Sequence, residues 1–168
     1  MRYHIEERAW SLPEVFIVRD DEGSAVFEIR GAFVNIDDDL VLIDSSTSQE
    51  LARAHIRQNM PSLTLHYEIH RNGQLWAHLH DRFRLFHEDF KIDTGDGSVM
   101  RVKGDTVRWN FSIIDETGHQ LAQIGHQNSI LPDSYTIEVT QNVDEVAMVA
   151  LVIVIDMVRE RKEQATSY

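Results

Sequence analysis

Short runs of alternating apolar and polar residues fill most of the chain. Residues 63–70, which read Leu-Thr-Leu-His-Tyr-Glu-Ile-His, show the pattern most clearly. An alternation with a period of two is typical of a β-strand that buries one face and exposes the other. On this basis the sequence predicts strands at residues 14–19, 25–30, 40–43, 51–58, 63–70, 75–80, 84–92, 99–103, 106–114, 120–126 and 135–140.

Turn-forming residues separate these runs at short intervals. The breaks lie at residues 21–23, 37–39, 72–73, 95–97 and 116–118, and each contains Asp, Asn or Gly. Connections this short cannot hold the helical crossover that parallel strands require, so we expect antiparallel pairing. Many short strands with regular turns indicate a mostly β fold, either a barrel or a sandwich.

One strand–turn–strand unit occurs more than once. Residues 41–44 (Val-Leu-Ile-Asp) precede a polar turn and then residues 50–52, and residues 112–115 (Ser-Ile-Ile-Asp) precede a polar turn and then residues 120–122. A weaker copy begins at residues 16–20. In each unit an Asp starts the turn, where its carboxylate can accept hydrogen bonds from the turn's own backbone. The repetition is compatible with an internal duplication, although hairpins of this kind are common.

Residues 146–155 form a different kind of element, because all of them are apolar. Asp144 is placed to cap the start of a helix, and the basic residues after the run suit the negative end of the helix dipole. The many β-branched residues instead favour a buried strand, so the pattern leaves both structures open. A transmembrane helix needs about 20 apolar residues, which is more than this run offers. A helix that is apolar on all faces belongs inside a protein.

Composition narrows the possible functions. The 168 residues, 42% of them hydrophobic, predict one domain at residues 1–168. The formal net charge is −12, so we expect no nucleic-acid binding, which needs a basic face towards the phosphates. The absence of cysteine excludes disulfides, thiolate zinc sites and a cysteine nucleophile, and it fits a reducing compartment. Because residues 1–10 do not resemble a signal peptide, we expect a cytoplasmic protein, and we expect a monomer.

The densest candidate chemistry lies in the predicted hairpin that is joined by Asn72-Gly73. Histidine is a common ligand of zinc, nickel and copper, so two neighbouring strands rich in histidine can assemble a metal site. The candidate ligands are His66, Glu68, His78 and His80.

The register of this hairpin decides whether those ligands meet. A two-residue turn, which Asn-Gly favours, pairs His78 with Tyr67 and places it on the face opposite to Glu68. A three-residue loop instead pairs His78 with Glu68 and His80 with His66, and so gathers the ligands on one face. The turn chemistry therefore favours half-exposed strand histidines, and the alternative register favours a surface metal site.

Several short segments, taken in their order and spacing, resemble the LURP-one-related family, which shares the tubby C-terminal fold with phospholipid scramblases. They are residues 16–23, 42–44, 111–118, 133–137 and 151–156, and the resemblance runs from about residue 3 to residue 158. It implies a tubby-like fold: a closed antiparallel β-barrel of about twelve strands around a buried apolar C-terminal helix. The barrel is expected at about residues 3–140 and the central helix at about residues 144–162.

The resemblance also implies a function. Tubby-like domains bind phosphoinositides, so we expect a non-enzymatic binding or scaffold domain for phospholipid headgroups, a membrane surface or a protein partner, peripheral at the membrane. No motif such as Gly-x-Ser-x-Gly is present, so we predict no catalytic residues and no cofactor. One alternative is a metal-binding protein or metal-dependent enzyme that uses the hairpin histidines. Another is a structural protein-interaction module in stress or defence, which an exposed apolar patch would indicate.

Overall fold

A computed structural model of the protein describes residues 1–8, 15–31, 38–59, 64–80, 89–106, 108–126 and 134–166. Predictions for residues 14, 37, 63, 84–88, 107 and 133 lie outside these described residues. The described elements are β1 Arg2–Arg8, β2 Val15–Arg19, β3 Ala25–Gly31, β4 Asp39–Asp44, β5 Glu50–Asn59, β6 Thr64–Arg71, β7 Gln74–His80, β8 Asp89–Thr94, β9 Val99–Asp105, β10 Asn110–Ile114, β11 Gln120–His126, β12 Ser134–Val139 and α1 Glu145–Thr166.

The strands form one closed barrel. Each strand pairs with its neighbours in the chain, and β1 pairs with β12 to complete the ring. All of these pairings are antiparallel; the closing pair runs from Arg2 opposite Glu138 to Glu6 opposite Ser134. The predicted closed antiparallel barrel is confirmed. A closed ring satisfies the backbone hydrogen bonds of all its strands and leaves no edge for another chain to extend.

Alternation explains why these segments are strands. Two strand predictions differ from the structure: β1 was not predicted, and the predicted strand 106–114 starts at the wrong residue. In β5, Ala52, Ala54 and Ile56 are buried while the residues between them face outwards. The strand β1 was not predicted, although its residues alternate. The reason is that only two of its described side chains are apolar and buried. The predicted strand 106–114 begins too early, because residues 108–109 form a turn and Trp109 has a left-handed backbone (φ 54°).

The helix α1 fills the barrel. Every residue from 147 to 158 is buried, so no face of this stretch reaches solvent. The choice between helix and strand is thereby settled for helix, and α1 continues four residues beyond the predicted end at 162. The void between α1 and the strands β3, β4 and β5 measures about 10 Å³, the size of a single water at most. Among the described residues, no helix has the length and hydropathy to cross a membrane.

Three contacts fix the start of α1 at one end of the barrel. Asp144 accepts a hydrogen bond from the backbone N–H of Ala147 (3.1 Å), which confirms the predicted cap. Arg71, at the end of β6, forms an ion pair with the other carboxylate oxygen of Asp144 (3.1 Å). The hydroxyl of Tyr3 donates to the carboxylate of Glu145, and burial together with this carboxylate raises the pKa of Tyr3. The helix start is therefore tied to β1 and to β6.

The structure contains the repeated strand–turn–strand unit. Asp44 accepts hydrogen bonds from the backbone N–H groups of Ser46 (2.8 Å) and Thr47 (3.0 Å). Asp115 accepts them in the same way from Thr117 (2.9 Å) and His119 (3.0 Å). Both hairpins also shift register just before the turn. The predicted role of the turn-starting Asp is confirmed.

Val152 lies in the middle of the buried stretch of α1 and tests the role of the helix. We expect Val152→Asp to lower the free energy of unfolding by at least about 4 kcal/mol, because a carboxylate would be buried without a partner. Urea denaturation measures this change. Val41→Asp is the matched control: Val41 is half-buried on the barrel and pairs with Arg30 and Arg53, which would compensate the new charge. Equal stability of the two variants would contradict the burial of the helix.

Candidate functional site

The β6–β7 hairpin does not have the register that its turn chemistry predicts. The observed pairs are His66 with His80, Tyr67 with Leu79, Glu68 with His78 and Ile69 with Ala77. The expected pairing of His78 with Tyr67 is therefore wrong. The structure has the alternative pairing, which places Glu68 opposite His78.

A β-bulge explains the difference. The turn itself has two residues, as predicted, because Arg71 pairs with Gln74. Asn72 and Gly73 have φ angles of 53° and 74°, which suits the tight hairpin turn that Asn-Gly prefers. The register then shifts by one residue, and Trp76 is the extra residue on β7. The turn and the pairing of the histidines are thus set by different residues.

The bulge is bonded to the next hairpin. The carbonyl of Trp76 accepts a hydrogen bond from the N–H of Gly95, in the β8–β9 turn (2.8 Å). A Cβ atom at residue 95 would lie 1.8 Å from the carbonyl oxygen of Leu75, so the approach requires glycine. The bulge that sets the register of the histidines is therefore in direct contact with the neighbouring hairpin.

Five side chains on the outer wall of β5, β6 and β7 form what we call the histidine face: His55, His66, Glu68, His70 and His78. Nδ1 of His66 lies 3.2 Å from Nε2 of His78. The two imidazole rings are nearly parallel, with an interplanar angle of 12° and centroids 5.4 Å apart. This pair brings two metal-binding nitrogens together across the strands.

The other half of the histidine face is an ion-pair network. Arg57 contacts the carboxylate of Glu68 at 2.8 Å, and Nε2 of His70 lies 3.4 Å from the same oxygen. Burial raises the pKa of Glu68, but the bond with His70 and the charge of Arg57 outweigh it, so the pKa is lowered. Glu68 is therefore ionised at neutral pH.

The network continues through His70 to β5. The ring of His70 packs edge-on against that of His55, with centroids 5.2 Å apart, and Nδ1 of His55 is hydrogen-bonded to Asp39.

The proposed ligand set is only partly assembled. Within the described side chains, no three histidine or carboxylate groups are gathered where they could hold a metal ion. The side chain of His80 is not among those described. The site of His66, Glu68, His78 and His80 therefore stays a prediction; the side chains of the first three are described, and the two imidazoles of His66 and His78 are in contact.

A cavity of about 660 Å³ opens at the end of the barrel where α1 begins, and we call it the mouth pocket. Its walls are the β6–β7, β8–β9 and β10–β11 turns and the first turn of the helix. Its apolar lining is Leu75, Trp76, Val99, Met100, Leu121, Val143 and Met148, and its carboxylates are Asp96, Asp115, Glu116 and Asp144. Among the described residues that line it, none is basic.

Two of these carboxylates are held rigidly by their own turns. Asp96 accepts hydrogen bonds from the hydroxyl of Ser98 (2.6 Å), the hydroxyl of Thr94 (2.5 Å) and the N–H of Ser98 (2.9 Å). These bonds lower its pKa to about 2. The hydroxyl of Thr117 bonds Asp115 in the same way (2.6 Å), and its pKa is lowered too. Both groups are fixed anions at neutral pH.

The other two carboxylates connect neighbouring elements. Glu116 accepts a hydrogen bond from the N–H of Val99 on the adjacent hairpin (2.6 Å). Asp144 caps the helix and pairs with Arg71, whose charge offsets one of the four negative charges around the pocket. The mouth pocket thus combines an apolar floor with a preorganised anionic rim.

Sequence reasoning misses this pocket. Its walls come from hairpins that are far apart in the chain, and the alternation of strand residues says nothing about which turns meet. The one signal in the sequence is the recurrence of acids at the breaks 95–97 and 116–118. Acidic residues at such breaks predict turns. In the structure they form the turns and also line the pocket.

Comparisons with known proteins identify the family and a structure of similar fold. A family model described as LURP-one-related matches residues 1–156. A protein of Bacillus subtilis (strain 168), named uncharacterized protein YxjI, is 23% identical over 164 residues, which are 98% of this chain and 97% of that protein. An X-ray structure of a protein from Arabidopsis thaliana is similar with a TM-score of 0.64 and 17% identity, over 94% of this chain and 91% of that one. At that identity the structural likeness shows the fold alone.

The contact between Gly95 and β7 can be tested by adding one methyl group. We expect Gly95→Ala to lower the free energy of unfolding by about 1–3 kcal/mol, because its Cβ would overlap the carbonyl of Leu75. Gly125→Ala is the control: its Cβ would lie an ordinary 3.4 Å from Oγ1 of Thr136, so we expect a change within about 0.5 kcal/mol. Thermal denaturation compares the two variants, and an unchanged Gly95→Ala protein would refute the close approach.

The lowered pKa of Asp96 gives a dependence of stability on pH. Its ordinary value is 3.8 and its value in the folded protein is about 2. A lowered pKa stabilises the fold above the unfolded value, and this stabilisation is lost as the pH falls through about 2. We expect Asp96→Asn to show a weaker loss of stability between about pH 4 and pH 2 than the natural protein. Parallel urea titrations measure both slopes, and identical slopes would contradict the prediction.

Proposed function

The chain belongs to the LURP-one-related family, and we propose that it is a non-enzymatic binding domain whose ligand sits in the mouth pocket. The ligand is a segment of a protein partner that presents a basic side chain next to an apolar one. The observation that carries this proposal is the cavity itself, with an apolar floor and a rim of four carboxylates.

The size and position of the mouth pocket suit a ligand. Its volume of about 660 Å³ lies within the usual range of small-ligand sites, about 300–1,000 Å³. The interior of the barrel is occupied by α1, so the ends and the outer wall are the places left for binding. The turns that form the rim are tight and bonded to one another, which means that a ligand need not order them.

The apolar floor supplies a place for a hydrophobic side chain. Leu75 is 41% exposed, which is unusual among the large hydrophobic residues of the described chain. It is next to Trp76, which packs against the core, and it lines the same pocket as Leu121 and Met148. An apolar side chain of a partner would remove Leu75 from water and contact the indole of Trp76, which is favourable at protein interfaces.

The charges of the rim select for a cation. Four carboxylates and one compensating guanidinium, that of Arg71, surround the opening. The whole chain carries a net charge of −12, so the long-range field has the same sign as the rim. A phosphate group in this pocket would be repelled, which argues against an anionic phospholipid headgroup at this place. A lysine or arginine side chain would be attracted.

The electrostatics of the rim also argue for binding rather than catalysis. The pKa values of Asp96 and Asp115 are lowered by hydrogen bonds from their own turns. A carboxyl group that donates protons at neutral pH needs the opposite shift, and a carboxylate of such low pKa is a weak general base. These two groups therefore suit electrostatic attraction.

A defined peptide probe tests the proposal. We expect an acetylated and amidated peptide of alternating lysine and leucine to bind saturably, and the matching glutamate–leucine peptide not to bind. Leu75→Lys should weaken binding of the basic peptide about tenfold or more, because it places a like charge in the pocket. Isothermal titration calorimetry measures the affinities, and amide chemical shifts in an NMR spectrum locate the site.

Gln49→Lys is the matched control, since it adds the same charge in an exposed turn that does not line the mouth pocket. Affinity that falls equally in both variants would mean that net charge alone drives binding, and the proposal would be wrong. Liposomes of phosphatidylcholine with and without phosphoinositide provide the second comparison. Selective sedimentation with phosphoinositide that survives Leu75→Lys would move the binding site to another surface and a lipid ligand.

A further inference from the structure

We propose that the histidine face holds a divalent transition-metal ion of the zinc, nickel or copper class between His66 and His78. This site lies on the outer wall of the barrel and is separate from the mouth pocket. Its test therefore gives a result that does not depend on the function proposed above. The juxtaposition of two imidazole nitrogens across β6 and β7 carries the inference.

The distance between the two nitrogens fits shared coordination. Zinc binds imidazole nitrogen at about 2.0–2.1 Å, so two histidines on a tetrahedral ion have their nitrogens about 3.3–3.4 Å apart. Ligands at right angles, as on nickel or copper, have them about 2.8–3.0 Å apart. Nδ1 of His66 and Nε2 of His78 are 3.2 Å apart, between these two values. The separation of the nitrogens therefore suits shared coordination, and both rings must rotate so that their lone pairs point at one ion instead of at each other.

The register provides the reason why these rings meet. Glu68 pairs directly with His78, and His66 lies two residues before Glu68, so all three side chains leave the same face of the barrel. This arrangement exists only because the bulge at Trp76 shifts β7 by one residue. A bulge that re-aims side chains is a feature found near functional sites.

Two carboxylates neighbour the imidazoles in the ladder, and one of them would have to turn towards the ion to join the coordination, because the described side chains do not gather three ligands around one point. Glu68 lies next to both histidines in the ladder, and β8 pairs Asp93 opposite His78 on the other side. Glu68 now contacts Arg57 and His70, so it would exchange one of these contacts for the ion. Two imidazoles, one carboxylate and water form a ligand set that suits zinc.

Metal binding at this site requires one imidazole proton to move to the other nitrogen of its ring. At 3.2 Å the two neutral rings share one hydrogen bond, in which one ring donates and the other accepts. Coordination needs a lone pair on both nitrogens, so the donor ring moves its proton to its other nitrogen. No net proton is released when both rings begin neutral.

Calorimetric titration of the full chain, after removal of any purification tag, tests the proposal with Zn²⁺, Ni²⁺ and Mg²⁺. We expect one Zn²⁺ or Ni²⁺ per chain, no binding of Mg²⁺, and a melting temperature that rises with Zn²⁺ concentration. His66→Gln and His78→Gln should each lower the Zn²⁺ affinity at least about tenfold. Glu68→Gln should lower it by a smaller factor.

His119→Gln is the matched control, because His119 is 84% exposed on the β10–β11 turn and away from the histidine face. Its Zn²⁺ affinity should stay within about twofold of the natural protein. Circular dichroism checks that each variant is folded, and the second histidine variant replaces the first if one is not. Absence of saturable Zn²⁺ and Ni²⁺ binding, or binding that persists in both histidine variants, would overturn the proposal.

Discussion

Burial of an all-apolar helix inside a closed sheet is the constraint on which this structure depends. The stretch from residue 147 to residue 158 has no polar face to show to water, except for Asp156, which accepts a hydrogen bond from Arg159 one turn later. The inward residues of the strands are equally apolar, and neither part is stable in water without the other. Because the helix fills the interior of the barrel that the described strands form, the candidate sites found among the described residues lie on the wall and at the end of the barrel.

The two candidate sites share one structural element. Trp76 is the extra residue that brings His78 opposite Glu68, and its side chain also lines the mouth pocket. Its carbonyl is bonded to Gly95, whose neighbour Asp96 belongs to the anionic rim. One bulge therefore positions the imidazoles on the wall and part of the apolar floor at the end of the barrel. Movement of this hairpin would affect both places together.

Much of the fold could be predicted from the sequence, because it rests on local rules. The alternation in residues 63–70, the turn at Asn72-Gly73 and the hydrogen bonds of Asp44 and Asp115 are decided by neighbouring residues. The helix was harder to predict, since Val and Ile at residues 152–155 suit a strand equally well. Only the resemblance to a family settled that choice, because the reason for a helix there is the barrel that surrounds it.

The candidate sites were less predictable for a physical reason. The Asn-Gly turn correctly predicts two turn residues, but it cannot predict that β7 gains a residue three positions from that dipeptide. That bulge lies where Gly95 approaches Leu75, a contact between two hairpins that the alternation within each strand does not show. The mouth pocket is a property of several turns together, and no single segment of the chain carries its pattern. The register of the histidines and the mouth pocket thus involve contacts between hairpins, which patterns within one hairpin do not show.

The pairing of β1 with β12 has a consequence for synthesis of the protein on the ribosome. Residues at opposite ends of the barrel sequence form the last seam, from Arg2 with Glu138 to Glu6 with Ser134. Until β12 and α1 have emerged, the nascent sheet has two open edges and an unfilled apolar lining, both of which favour association with other chains. Folding of such a non-local topology is slow compared with local hairpin formation. The order of elements in this fold therefore delays closure of the barrel until β12 is available to pair with β1.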